Sequence, residues 1–211
     1  IEGSVNNAPP LSACGPYPLV VHLHGSCAQQ EENHYNSWYN FPITLAKSGY
    51  VVIVPKLPGS FLFEQLESLS AEVRNVIEWI RSDWEFKRQI ASPSFTAFIG
   101  HSTGGILAGM LAAGQQTGAL VNLSAVCAAA EGVVDPNPLG QWRTPSLFFM
   151  GAGEIDANIE GGGLWERISP PKHLIKLTNG MHWDYLPSRG YRNCNNIESS
   201  RCELYKSIVA D

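Results

Sequence analysis

Residues 98–105 read Phe98-Ile99-Gly100-His101-Ser102-Thr103-Gly104-Gly105. A serine set between glycines in a G-x-S-x-G spacing, after an apolar strand and before a helix of small residues, marks a tight turn that lifts a hydroxyl clear of a sheet. Gly100 and Gly104 lack side chains where the chain doubles back. Phe95–Ile99 reads as the strand and Ile106–Ala113 as the buried helix. A hydroxyl presented this way can attack a carbonyl carbon, but not unaided. It stays protonated at neutral pH, so it needs a base within hydrogen-bond reach and a carboxylate to orient that base.

Where such a turn carries the nucleophile, the partners follow in the chain order serine, acid, histidine. The acid is expected after the strand Ser146–Met150, where the chain reads Gly151-Ala152-Gly153-Glu154-Ile155-Asp156. Asp156 takes the role, with Glu154 as the alternative. The histidine is expected after the strand His173–Leu177, and His182 follows Gly180 there. The oxyanion of the tetrahedral intermediate needs preformed donors, each contributing about 3 kcal/mol. The backbone N–H of Thr103 supplies one, and that of Ser26, in the loop after the strand Leu19–Leu23, supplies the other. Acid should silence the chemistry, because a protonated His182 is no base.

The remaining histidines sort by context. His24 reads as a brace for the loop after the first strand. His22 and His24 form an H-x-H pair that would suit a metal, but no further ligand cluster accompanies them, and no C-x-x-C pair suggests zinc. His101 reads as a packing residue, and His34 and His173 receive no role. Trp183, Trp38 and Tyr35 are the candidate substrate-binding residues, with Phe61 and Tyr185 in loops on the same side; each aromatic is equally well read as core or rim. Gly161-Gly162-Gly163 is either a loop edge or a plain turn.

These residues need a scaffold, and the chain supplies it by alternating strands with helices. After Leu19–Leu23 come a short helix over Asn40–Lys47, a strand over Gly49–Val54 and an amphipathic helix over Leu69–Arg81, with Val73, Val76, Ile77 and Ile80 on one face. Beyond the serine turn, a strand lies within Leu120–Ala130, the strands Pro145–Met150 and His173–Leu177 follow, and a closing helix covers Glu198–Ala210. The expected fold class is α/β, a mostly parallel central sheet with helices on both faces, in one domain over residues 1–211. Only Glu131–Thr144 has room for a lid, about fourteen residues, too few for a lid domain. The site is therefore expected to be open.

Composition narrows the partners. A net charge of −5 without a basic cluster argues against nucleic acid. The longest apolar runs are too short for a bilayer span. With Ile1 in place of a methionine, the expectation is that a leader or other N-terminal segment has been removed. Of the five cysteines, Cys127 reads as a buried thiol, Cys194 and Cys202 as the best disulfide pair, and Cys14 and Cys27 as a weaker one. Disulfides would fit an exported protein; otherwise the chain is soluble. Asn122-Leu123-Ser124 fits a glycosylation sequon at the head of an apolar strand. A monomer is expected.

Taken together, Pro18–Gly25, Gly49–Pro55, Gly100–Gly105 and Gly180–His182 resemble the lid-free α/β-hydrolases of the chlorophyllase, cutinase-like and polyester-hydrolase kind, over residues 17–186. Gly132-Val133-Val134-Asp135-Pro136 is similar to a chlorophyllase segment. The resemblance implies the α/β-hydrolase fold, no lid domain, no metal or cofactor, and cleavage of a small-molecule or polymeric carboxylic ester through an acyl-enzyme. Polyester hydrolases carry an aromatic where this chain has Ser26. Three other readings stay open: an acyltransferase, in which an alcohol or thiol replaces water; a peptidase; and a hydrolase-fold ligand-binding protein with little turnover.

Overall fold

In the computed structural model, the described residues are 15–25, 40–58, 63–113, 118–123, 144–151, 169–178, 180 and 182. Among them six strands form one sheet: β1 (Leu19–Leu23), β2 (Val51–Ile53), β3 (Thr96–His101), β4 (Ala119–Leu123), β5 (Ser146–Gly151) and β6 (Lys172–Leu177). Every pairing is parallel and the order is β2-β1-β3-β4-β5-β6. The chain steps from β1 to β2 at the edge, then crosses back over β1 to β3. That reversal makes a crevice between the carboxyl ends of β1 and β3, where open α/β sheets bind ligands.

Strand alternation divides the core. Leu19, Val21, Leu23, Phe98, Leu120 and Phe148 pack with helices α2 (Leu66–Ser82) and α3 (Thr103–Ala113) on one face. Val20, Ile99, Leu123, Phe149 and Leu177 line the other, joined by Leu45 of α1 (Asn40–Lys47). Helices thus cover both faces, and β1 is buried along its length, as befits a parallel sheet. Helix α3 is buried nearly all round, so its apolar residues show no stripe.

Several boundaries shift from the sequence expectation. Helix α2 starts at Leu66, not Leu69, because Leu66 itself packs into the core. Its buried stripe is Leu66, Leu69, Ser70, Val73, Ile77 and Ile80; Val76 is exposed instead of sharing that face. Phe95 is not in a strand. Pro93 opens a 3-10 turn over Pro93–Phe95, and the Phe95 ring stands out in solvent. Gly49 has φ +94 and belongs to the turn before β2, which is shortened to three residues. Asn122 is fully buried in β4, and its side chain donates to Gly105 O at 3.4 Å, so the folded chain does not offer it for glycosylation. All five cysteines, residues 131–143 of the lid segment, the Gly161–Gly163 run and the closing helix lie outside the described residues. Among the described residues no helix is long and apolar enough to cross a membrane.

Candidate active site

The elbow forms because the chain cannot pass between β3 and α3 any other way. Ser102 sits at φ 55, the one non-glycine residue with positive φ among those described. That left-handed conformation costs roughly 1–2 kcal/mol and persists only where the surroundings enforce it. Two backbone bonds enforce it here: Ser102 N–H donates to Leu123 O at 3.0 Å, and Gly105 N–H donates to Ser102 O at 2.9 Å. The flanking glycines let the segments close. A Cβ on Gly100 would collide with the backbone of Gly104 and lie 2.7 Å from Gly105 Cα; one on Gly104 would collide with the backbone of Leu23 and His24. Helix α3 therefore begins at Thr103, three residues ahead of the sequence expectation, despite two glycines that disfavour helix intrinsically. Close packing against β1 overrides propensity.

Thr103 is half-buried and is the first residue of α3. The first amides of a helix lack intrahelical partners and face the positive end of its dipole, so this end suits a negative charge. His24 and Gly25 follow β1 beside this turn. Gly25 is buried there, and a Cβ on it would lie 2.8 Å from Ser102 Cβ and 3.3 Å from His101 Nδ1.

His182 follows β6 after a turn closed by Gly180 N–H to Leu177 O, 2.9 Å. Its Nε2 lies 2.9 Å from Ser102 Oγ. Ser102 is only 6% exposed and His182 is half-buried, so the pair meets at the mouth of the crevice and not deep in the core. A second contact joins the same two segments: His101 Nε2 lies 2.6 Å from the backbone oxygen of His182, and the two imidazole rings are 4.7 Å apart at 46°. In sequence His101 reads only as packing. An 81-residue separation hides the contact; the one available signal is a polar residue placed directly before the nucleophile in an otherwise buried strand.

His22 and His24 lie at the carboxyl end of β1. His24 Nδ1 is 2.9 Å from Gly25 O and its Nε2 accepts from Leu57 N–H at 3.1 Å. Because a carbonyl only accepts and an amide only donates, this His24 is neutral with its hydrogen on Nδ1. It ties the β1 loop to the segment after β2, the bracing expected from sequence. His22 is fully buried. Burial, and secondarily the proximity of His24, lower its pKa to about 3. Among the described residues no group of His, Cys, Asp or Glu side chains is arranged to hold a metal ion.

Of the residues singled out in sequence, Ser102, Thr103 and His182 are described and converge at the end of β3. Asp156, Glu154, Ser26, Trp183, Trp38, Tyr35, Phe61 and Tyr185 lie outside the described residues.

The family model for chlorophyllase matches residues 8–141, more than half of the chain and including the elbow. The chain belongs to the chlorophyllase family. Among solved structures, this chlorophyllase-family chain is similar to dienelactone hydrolase from Anabaena variabilis. The identity is 16% and the TM-score 0.58, over 90% of this chain and 86% of that one. That likeness is one of fold, and the fold is the α/β-hydrolase fold. No curated protein matches the sequence. Family and fold support a hydrolase activity of the serine type.

Proposed function

We propose that the chain is a serine carboxylic-ester hydrolase working through an acyl-enzyme. The observation that carries this reading is His182 Nε2 at 2.9 Å from the hydroxyl of a serine held at φ 55. His182 removes the Ser102 proton as Oγ attacks the ester carbonyl, and as the intermediate collapses the C=O bond re-forms and the C–O bond to the alcohol breaks. The proton on His182 then passes to the departing alcohol. Water repeats the sequence: His182 deprotonates it, the hydroxide attacks the acyl carbon, and Ser102 leaves as the alcohol. Thr103 N–H and Ser26 N–H stabilise the oxyanion in both halves. Asp156, with Glu154 as the alternative, accepts from His182 Nδ1 and steadies its positive charge. Trp183, Trp38 and Tyr35 are the proposed substrate contacts. The family's name adds a chlorophyll-type ester to the substrates worth testing.

Hydrolysis of a short and a long p-nitrophenyl ester, and of a chlorophyll-type ester, by the wild type and by Ser102→Ala tests the reading. Release that disappears in the variant is the expected result, and the ratio of rates sizes the pocket. Release that survives in Ser102→Ala overturns it.

A further inference from the structure

We infer that His101 is a positioning residue for His182, a second anchor that holds the loop of the base against the strand of the nucleophile. The inference rests on the assignment of Ser102 and His182 made above.

The base arrives from a loop 80 residues along the chain from the nucleophile, so its placement depends on what crosses between them. Among the described residues, two hydrogen bonds are seen to cross. One runs from the His182 side chain to Ser102 Oγ, and the other from the adjacent His101 side chain to the His182 backbone. Two consecutive residues at the end of β3 thus grip both the side chain and the main chain of His182. A carbonyl oxygen can only accept, so Nε2 of His101 carries a hydrogen and donates it to His182 O. That donor points at the His182 peptide and not at Ser102.

The residue type also argues for the bond. Volume alone at this fully buried position would be filled by an aliphatic or phenyl side chain. A buried imidazole is costly unless it is hydrogen-bonded. Holding the bond at 2.6 Å needs a rigid donor, and the last residue of a buried central strand is one. Reaction geometry tolerates errors of only about 0.5 Å, and a displacement of about 1 Å can cost about 100-fold in rate.

The test uses three variants of the full chain with a p-nitrophenyl ester. His101→Phe keeps a ring and loses the donor. His101→Gln places an amide N–H near the position of Nε2. His101→Asn carries the same amide on a stem one carbon shorter. We expect His101→Phe and His101→Asn to lose about 10- to 100-fold in kcat with KM nearly unchanged, and His101→Gln to recover most of the loss. Thermal midpoints are measured alongside. The Gln and Asn pair remains decisive if the Phe variant does not fold. A purely structural role would move stability in all three and would not restore kcat through reach alone. Equal kcat in the Gln and Asn variants, or wild-type kcat in the Phe variant, overturns the inference while leaving the serine mechanism intact. Turnover that survives in Ser102→Ala overturns both.

Discussion

Two pairs of histidines lie at the carboxyl ends of neighbouring strands, and their fates differ. His22 and His24, from β1, are sealed: both are essentially without exposure, and His24 spends both ring nitrogens on backbone partners. His101 and His182, joined across β3 and the loop after β6, open on a hydroxyl. The side-chain type is the same in all four. What separates them is whether one ring nitrogen is left facing a group that can give up a proton at the edge of solvent. Only His182 meets that condition, so the comparison predicts chemistry at one histidine and architecture at three.

His182→Ala is the largest expected loss. It removes the base, and kcat/KM should fall by about 10,000-fold or more, on the scale seen when one member of such a catalytic set is removed. His22→Leu should leave kcat within about fivefold, since it fills the same buried space away from the reacting atoms. Near-normal rates for the first variant or an inactive, folded second variant would break the comparison. Steady-state kinetics with folding checked by circular dichroism reads both.

Next in size is the elbow itself. Gly100→Ala forces a Cβ into the backbone of Gly104, and the expected destabilisation is about 3 kcal/mol or more, read by urea unfolding. The sealed pair should then appear in the pH dependence of stability. His22 remains neutral in the folded chain down to about pH 3, against 6.5 for the ordinary group. Across that window the unfolded chain binds the extra proton, so stability falls as pH falls, by up to about 1.4 kcal/mol per unit. Urea unfolding at several pH values should show the slope in the wild type and a flatter one in His22→Leu. The smallest effect belongs to the surface: Val76→Ala, exposed on α2, should stay within about 0.5 kcal/mol of the wild type.

Much of this was legible in the sequence, for identifiable reasons. Apolar runs such as Leu19–Leu23 and Ser146–Met150, short and bounded by glycine or proline, locate central strands because the strands of a parallel sheet are covered on both faces. The Gly100–Gly104 spacing locates the elbow because only glycine fits the close approach there. Other features answer to tertiary facts. Helix α3 starts early because contact with Leu23 and His24 outweighs the poor helix propensity of two glycines. Val76 turns outward although its type fits the buried stripe, because it lies just beyond the edge of the arc that Leu69 and Ile80 mark. The grip of His101 on His182 lies between segments that periodicity cannot relate.

The strand order also governs when a working site can exist. Strand β1 pairs with β3 only after residues 24–95 have been looped out, and Gly104 can seat against Leu23 and His24 only once that pairing is made. His182 joins from a still later segment, after β6 has added to the far edge. Contacts of such long sequence separation form slowly, whereas α2 and α3 are built from local ones. In refolding, helical signal should therefore return ahead of ester hydrolysis, and the turnover assay would report completion of the sheet.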